Sequence, residues 1–236
     1  MNKKKLGIIG GMGSRAGAHF LRKVVDYSPA ETDQDFLEII FHNNSSVPDR
    51  TRAIVFNERS PLDDMLQSVR LFNENKVEVI AISCITAYYY YEQLCRHTTA
   101  RVLNPLCIAA QNIRECFPET SRVGLLATTG TIKTGLFHKE LEGINVETVT
   151  LGVKSQEELF MRSVYMKNGF KSAVVSQEAS ALMELAIRQL VERGVDLIIG
   201  GCTEVSIAVD PDRIRVPYLD VLDLLAKRTV DYCYGN

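Results

Sequence analysis

Two cysteines stand at equivalent places in the two halves of the chain, and their chemistry gives the first indication of what the protein does. Cys84 ends the mainly apolar segment 77–83, Cys202 ends the mainly apolar segment 195–201, and a threonine follows each within two residues. A thiolate can take a proton from carbon and a thiol can return one, so two of them on opposite faces of one carbon would invert its configuration. Because adjacent thiolates repel, such a pair would titrate as a coupled system. The two cysteines therefore predict a proton-transfer site.

A purely structural role as small buried hydrophobes is the alternative for both residues, and it is the interpretation given to the other four cysteines. Cys84 and Cys202 differ because a thiol between a strand and the next helix lies where the N-terminal helix dipole lowers its pKa. The six cysteines show no CxxC spacing and the four histidines form no HxxxH pair, so neither a structural zinc nor a redox dithiol is indicated. We expect reduced thiols and no metal. The four remaining cysteines are Cys95, Cys107, Cys116 and Cys233.

The sequence contains an internal repeat of about half its length. Residues 5–13 align with residues 122–130 at an offset of 117, and residues 77–84 align with residues 195–202 at an offset of 118. Chance similarity between buried strands would explain either match alone, but it explains a shared offset less well. The repeat therefore indicates a duplicated structural unit.

Short apolar runs alternate with helical patterns along the chain, which is typical of an α/β protein. Because the runs are apolar throughout, they predict parallel strands that are covered on both faces. The predicted strands are residues 5–10, 36–42, 77–83, 121–127, 145–151 and 195–200. One helix is predicted over 177–193, with Gly194 as its left-handed cap. Another is predicted to open with Ser60 as N-cap and Pro61 at the first helical position, with two aspartates in its first turn.

The predicted fold class is α/β, with two similar domains related by pseudo-twofold symmetry, each a mainly parallel sheet flanked by helices. The first domain is assigned to residues 1–103 plus about 217–236 and the second to residues 104–216. Open α/β sheets bind ligands beyond the carboxyl ends of their strands. The active site is therefore expected in the cleft between the two domains.

Composition excludes several classes of protein. The chain has 236 residues, of which 46% are hydrophobic and 24% charged, a balance that suits a globular core rather than disorder. Its formal net charge of -2 provides no broad basic field for nucleic acid or an anionic membrane. Its apolar runs are far shorter than the roughly 20 residues of a membrane span, and the run after the lysines at 3–5 ends too soon for a signal peptide. We expect a cytoplasmic protein that acts on a small molecule, with no nucleic-acid or membrane partner.

The main competing interpretation is a dinucleotide-binding site. Residues 11–16 read Gly-Met-Gly-Ser-Arg-Ala, which matches the GxGxxA pattern after a strand. That pattern needs an acidic residue at the end of the second strand to bind the ribose, and the corresponding residues 41–44 read Phe-His-Asn-Asn. No lysine stands out as a Schiff-base residue for pyridoxal phosphate. The sequence therefore predicts no cofactor.

Six short motifs follow one another along the chain. They are Gly-Gly-Met-Gly at 10–13, Val-Pro-Asp-Arg-Thr at 47–51, Cys84 with Thr86, Leu-Leu-Ala-Thr-Thr-Gly-Thr at 125–131, Tyr165 with Lys167, and Gly-Cys-Thr-Glu at 201–204. Through them the chain resembles the aspartate/glutamate racemase family, cofactor-independent enzymes with two similar α/β domains, over nearly its whole length. It is most similar to the aspartate racemase branch, since the glutamate racemase branch has Asp-Ser-Gly where this chain has Gly-Met-Gly.

The resemblance implies a role for individual residues. Cys84 and Cys202 correspond to the acid/base pair, Arg50 to the residue that binds a substrate carboxylate, and Lys167 to a second cation at the distal carboxylate. Glu204 corresponds to a partner that orients Cys202 or the substrate ammonium. The remaining positions implied to surround the substrate are Met12, Thr86, Thr128, Thr131 and Thr203. Without the resemblance, Arg50 would be interpreted as an ion-pair residue, Lys167 as solvated, and the threonines as helix caps.

The implied activity is that of a homodimeric amino-acid racemase that interconverts L- and D-aspartate, with glutamate as a close second. The chain departs from the family at Ile85, where an asparagine usually follows the first cysteine, and in the tyrosines at 88–91, where Ala-His is frequent. These changes leave the substrate open. One alternative is a related enzyme on another α-substituted acid, of the hydantoin racemase, maleate isomerase or arylmalonate decarboxylase type. The other is an amino-acid-binding protein with weak catalysis.

Overall fold

The computed structural model describes residues 3–235, which divide into two compact units. The first unit runs to Asn104 and resumes at Asp223, and the second unit is Pro105–Leu222. The division at Asp223 falls inside the last helix, whereas the sequence analysis placed the corresponding crossover near residue 217. Each unit is a four-stranded parallel sheet flanked by helices, so the predicted α/β class with two similar domains is confirmed.

The first unit is built on parallel strands that pack beneath helices. Its strands are β1 Leu6–Gly10, β2 Ile39–Asn43, β3 Val79–Ile82 and β4 Arg101–Val102. Its helices are α1 Ser14–Tyr27, α2 Arg50–Phe56, α3 Leu62–Glu74 and α4 Tyr91–Cys95, with 3₁₀ turns at Asp33–Asp35 and Ile85–Tyr90. The strand order is β2-β1-β3-β4. The two central strands, β1 and β3, are buried along their whole length, as expected of strands covered on both faces.

The second unit repeats this plan. Its strands are β5 Arg122–Leu126, β6 Glu147–Val149, β7 Leu197–Gly200 and β8 Tyr218–Asp220, in the order β6-β5-β7-β8. Its helices are α5 Pro105–Cys116, α6 Thr129–Lys133, α7 Leu136–Glu142, α8 Val153–Ser155, α9 Arg162–Tyr165, α10 Gln177–Glu192 and α11 Val205–Ala208, with a π-helical segment at Gln156–Met161 and a 3₁₀ turn at Pro211–Arg213. The last helix, α12 Val221–Tyr234, begins in the second unit and ends in the first. Within residues 3–235 no helix is long and apolar enough to cross a membrane.

The six predicted strands are all present, and the edge strands β4 and β8 are additional. β4 is two residues long and β8 three. β4 pairs with β3 and β8 pairs with β7, each in parallel. The two edge strands complete the same four-strand order in both units, as a duplication predicts.

The predicted helix ends agree with the structure at one helix and differ at the other. α10 begins after Ser176, whose hydroxyl caps it, and it is followed by Gly194 with φ of +70°. The prediction of Ser60 as N-cap of α3 was wrong by one position. The N-cap is Pro61, and the Ser60 hydroxyl accepts the N–H of Leu62 at 3.2 Å. Both aspartates lie in the first turn of α3, as predicted.

The core of the second unit extends to the thiol of Cys202. Phe160 and Phe170 pack in it beside Leu126 and Ile198 of the sheet, and all four side chains are buried. Each fully buried side chain of this size contributes about 1.5–3 kcal/mol through removal of apolar surface from water. The thiol therefore lies against a close-packed apolar environment on one side.

Candidate active site

The Cys84 thiol is held at the carboxyl end of β3. The preceding residue, Ser83, donates both its N–H and its hydroxyl to the carbonyl of Ile9 in β1, at 3.0 and 3.1 Å. Cys84 has an extended backbone and is the N-cap of the 3₁₀ turn that starts at Ile85. Its exposed fraction is 6%. The thiol therefore lies where the two central strands of the first sheet end.

The turn after β1 depends on a glycine. Gly11 has φ of +87°, and a Cβ built on it would lie 2.1 Å from the main-chain oxygen of Asn44. An L side chain would be both strained and blocked there. The turn presents the carbonyl of the buried Met12, which accepts a hydrogen bond of 2.6 Å from Nη2 of Arg50. The sequence-predicted residues Met12 and Arg50 are therefore in direct contact.

Arg50 is a buried charge at the start of α2. Its Nη1 donates to the carbonyls of Pro48 and Val47, at 2.9 and 3.4 Å. The helix is capped by Asp49, whose side chain accepts the N–H of Arg52 at 2.9 Å. These contacts tie the guanidinium, the start of α2 and the turn after β1 together. A planar fork of donors held in this way suits a carboxylate, and that role for Arg50 stays a prediction.

Apolar and phenolic side chains follow Cys84. Ile85, Thr86, Tyr88 and Tyr90 are all buried in the 3₁₀ turn. The Tyr88 hydroxyl accepts the N–H of Ile82 at 3.2 Å, and burial raises the pKa of Tyr88 far above its ordinary range. Burial also raises the pKa of Tyr90, against the opposing effects of the Ser60 hydroxyl and the Arg50 charge. Both phenols are therefore neutral at physiological pH.

The Cys202 thiol lies at the carboxyl end of β7, the counterpart of β3. The intervening Gly201 donates its N–H to the carbonyl of Leu126 at 2.9 Å, and a Cβ there would lie 2.6 Å from the side chain of Leu125. Cys202 is 4% exposed. Its Sγ donates to Oε2 of Glu204 at 3.0 Å. The thiol therefore contacts a carboxylate directly.

Glu204 accepts hydrogen bonds on both of its oxygens. Oε2, which receives the thiol, also accepts the hydroxyl of Thr203 at 3.2 Å. Oε1 accepts the ammonium of Lys171 at 2.8 Å, and that ammonium lies 5.3 Å from the ring centroid of Tyr165. Glu204 is 2% exposed. The buried carboxylate thus has a counter-charge and two further donors, which is what a charge needs in order to remain ionised out of water.

The electrostatics of this group leave Cys202 protonated. Burial raises the pKa of Cys202 well above its ordinary value, the Glu204 carboxylate raises it further, and Lys171 opposes both. Burial alone would raise the pKa of Glu204, but the Lys171 charge and the Cys202 donor lower it below its ordinary value. The prediction that a helix dipole lowers the pKa of Cys202 was therefore wrong. The following helix α11 has only 4 residues, and burial together with the adjacent carboxylate outweighs it.

Thr128 caps the helix after β5 and contacts a second threonine within that helix. Thr128 is the N-cap of α6, its Oγ1 accepts the N–H of Thr131 at 3.3 Å, and the two hydroxyl oxygens are 3.1 Å apart. Gln156, in the π-helical segment, donates Nε2 to the carbonyl of Ala127 at 2.9 Å. Gln156 is 6% exposed, and among the described residues its Oε1 has no hydrogen-bond partner. The side chain that binds the main chain just before α6 therefore carries a buried acceptor.

Two lysines that follow α9 have different surroundings. Lys167, the predicted second cation, is exposed in the turn after α9, whereas Lys171 forms the ion pair with Glu204. Neither Lys171 nor Gln156 was predicted from the sequence. The Lys171–Glu204 contact joins residues that are 33 positions apart in the chain, so no local sequence pattern predicts it. The motif residue Tyr165 was the available signal, because its ring lies over Lys171.

The chain is similar to known proteins over nearly its whole length. The family model described as Asp/Glu/Hydantoin racemase matches residues 9–229. The broad specificity amino-acid racemase RacX of Bacillus subtilis is 24% identical over 230 residues, which cover 95% of this chain and 96% of that protein. The structure of the Picrophilus torridus aspartate racemase superposes with a TM-score of 0.84 at 25% identity, covering 98% of this chain and 94% of that one. A Francisella tularensis glutamate racemase, solved with D-glutamate, shares the fold at a TM-score of 0.68 and 15% identity, covering 100% of this chain and 83% of that one.

Glu204→Gln should make Cys202 ionise at lower pH. The substitution removes the negative charge that raises the thiol pKa and leaves the opposing Lys171 charge in place. Because a charge at this distance changes a pKa by about one to three units, the pH of half-maximal labelling of Cys202 by iodoacetamide should fall by a similar amount. Labelling is followed against pH by peptide mass spectrometry.

Glu158→Gln is the matched control, because Glu158 is an exposed carboxylate 3.9 Å from Lys154 in the same unit. It should leave the labelling profile of Cys202 unchanged. An unchanged profile in Glu204→Gln would contradict the electrostatic account of this thiol.

Proposed function

The chain belongs to the Asp/Glu/Hydantoin racemase family, and from this we propose that it interconverts L- and D-aspartate, with glutamate as its second substrate. The observation that carries the proposal is the buried thiol–carboxylate pair Cys202–Glu204 at the end of β7, matched by the buried thiol of Cys84 at the end of β3. The two strands hold equivalent places in two sheets of the same order. The proposed acid/base pair is therefore built into the duplicated fold.

In the proposed reaction each thiol serves one face of the substrate carbon. One thiolate takes the proton on Cα, and the electron pair of that C–H bond moves into the α-carboxylate as an enolate. The opposite thiol then gives its proton to Cα from the other face, so that the first sulfur ends as a thiol and the second as a thiolate. No metal or cofactor takes part in this scheme.

The surroundings of Cys202 support both of its roles. As a protonated thiol it is ready to act as the acid that completes inversion. To act as the base in the opposite direction it must first lose its proton, and Oε2 of Glu204 lies 3.0 Å from Sγ to accept it. Glu204 is therefore proposed as the group that exchanges a proton with Cys202 between turnovers.

An acidic amino acid presents two carboxylates, and two cations are proposed to bind them. Arg50 is fixed beside the turn after β1, where a bidentate carboxylate contact would also stabilise charge that develops in the enolate. Lys167 is proposed at the distal carboxylate. Hydroxyl and main-chain donors would complete the binding of the α-carboxylate and ammonium, and they are drawn from Met12, Thr86, Thr128, Thr131 and Thr203.

Broader specificity is the second candidate function, and the residues after Cys84 favour it. Ile85 and Tyr88 are buried where the family resemblance implies an amide and an imidazole. An apolar side chain cannot donate to a distal carboxylate, whereas it tolerates a neutral substrate group. The similarity to RacX, named as a broad specificity racemase, supports this reading, and the similarity to the Picrophilus aspartate racemase supports aspartate.

Cys84→Ala and Cys202→Ala should each abolish racemisation. Because general acid–base catalysis contributes about 10²–10⁴-fold, each variant should lose at least that factor in kcat for the conversion of L- to D-aspartate, followed by chiral chromatography. Cys107→Ala is the matched control, since Cys107 is exposed in α5, and it should keep the wild-type rate.

Undiminished racemisation in either cysteine variant would contradict the two-thiol scheme. Wild-type protein that is inactive on aspartate and glutamate but turns over a hydantoin, maleate or an arylmalonate would favour a related enzyme of the superfamily. Thermal stabilisation by aspartate without turnover of any of these compounds would favour a binding protein.

Ile85→Asn should shift specificity toward aspartate. A new amide donor near the distal carboxylate is worth about 1 kcal/mol, so the ratio of kcat/KM for aspartate to kcat/KM for alanine should rise by about fivefold. Ile85→Val, which keeps the site apolar, controls for the change in packing. A ratio that falls or stays constant in Ile85→Asn would place the substrate side chain elsewhere.

A further inference from the structure

We propose that Lys171 is a positioning residue that controls the protonation of the Cys202 thiol through its ion pair with Glu204. The thiol chemistry in this proposal can be measured without turnover. Its consequence for catalysis rests on the proposed function.

A tightly folded loop holds Lys171 in place. After α9 the chain turns at Asn168, with φ of +59°, and at Gly169, where a Cβ would lie 2.6 Å from the carbonyl oxygen of Ser163. The N–H of Phe170 donates to that same carbonyl at 3.0 Å, and the N–H of Lys171 donates to the carbonyl of Val164 at 3.2 Å. Phe170 is buried in the core of the second unit. The loop therefore folds back on α9 and is anchored at Phe170 and at the main chain of Lys171.

The Lys171 side chain reaches one oxygen of Glu204 and leaves the other to the thiol. Nζ lies 2.8 Å from Oε1, whereas Sγ of Cys202 contacts Oε2 at 3.0 Å. The side chain of Lys171 is 23% exposed and that of Glu204 is 3% exposed. The Tyr165 ring, 5.3 Å from Nζ, provides a second favourable contact for the ammonium. Lys171 thus acts on the thiol across the carboxylate.

Loss of the ammonium would move both titrations in the same direction. The charged groups that act on Cys202 from the described chain are Glu204, which favours the thiol, and Lys171, which favours the thiolate. Lys171 also favours the ionised form of Glu204. Without Lys171 a buried carboxylate loses its counter-charge, so it takes up a proton at higher pH and the thiol loses its proton at higher pH.

The effect of Lys171 on these two ionisations matters because the pair Cys202–Glu204 can provide a base only while it carries a negative charge. With Glu204 ionised, the thiol proton has an acceptor 3.0 Å away. With Glu204 protonated, that acceptor is lost and Cys202 remains a thiol. Lys171 therefore sets the lower pH limit at which Cys202 can change between acid and base.

The test is the pH dependence of Cys202 labelling by iodoacetamide in substrate-free protein. Lys171→Met should raise the pH of half-maximal labelling by about one unit or more, and Lys171→Arg, which keeps the charge, should restore the wild-type value. In a Glu204→Gln background the effect of Lys171→Met should shrink, since the carboxylate that links the two groups is gone. Lys154→Met, which removes an exposed lysine 3.9 Å from Glu158, is the control and should leave the profile unchanged.

Two outcomes overturn the proposal: a labelling midpoint that does not move in folded Lys171→Met, or an equal movement with and without the Glu204 charge. If Lys171→Met fails to fold, Lys171→Gln keeps a donor without the charge and takes its place. The acidic limb of kcat for racemisation should move up with the labelling midpoint. A moved midpoint in a protein with no racemase activity would refute the proposed function and leave the role of Lys171 standing.

Discussion

The carboxylate of Glu204 is the constraint on which the site of the second unit depends. A charge this deeply buried costs several kcal/mol unless it is paired and hydrogen-bonded, and Lys171, Cys202 and Thr203 supply those partners. Each partner needs a particular local backbone: Gly201 lets the chain pass Leu125 before Cys202, and the loop after α9 brings Lys171 back toward the sheet. Meeting the need of the Glu204 carboxylate for hydrogen-bond partners and a counter-charge therefore also depends on the backbone turns that place those partners.

The duplicated fold provides two equivalent thiol positions with unequal surroundings. Cys202 lies in an ionic network, whereas Cys84 is followed by buried Ile85 and neutral Tyr88. Topology alone fixes where the thiols lie, because the carboxyl ends of parallel strands are where α/β sheets place their ligand-binding loops. The neighbours then decide how each thiol titrates. Unequal neighbours of this kind are what the proposed acid and base would require of one repeated unit.

Much of the fold could be predicted from the sequence, because the buried central strands and the repeat leave clear apolar patterns. The edge strand β4 could not, since two residues carry no pattern, and β8 directly follows Pro217, where the sequence suggested a crossover between the domains. The sequence also identified Glu204 as a partner of Cys202, but not Lys171, because that ion pair depends on how the loop folds back on α9. The sign of the Cys202 pKa change was missed for a related reason. Burial and a neighbouring carboxylate are properties of the packed structure, and they outweigh the short helix that the sequence suggested.

In the proposed reaction, different groups remove and return the proton on Cα. The most direct test follows L-aspartate in D₂O with the wild-type protein by proton NMR and mass spectrometry during the first part of the reaction. The account predicts that the D-aspartate formed carries deuterium at Cα, while the remaining L-aspartate keeps its proton. Two results would contradict this mechanism: exchange of deuterium into L-aspartate without inversion, or D-aspartate that retains the original proton. Either result would show that a single group both removes and returns the Cα proton.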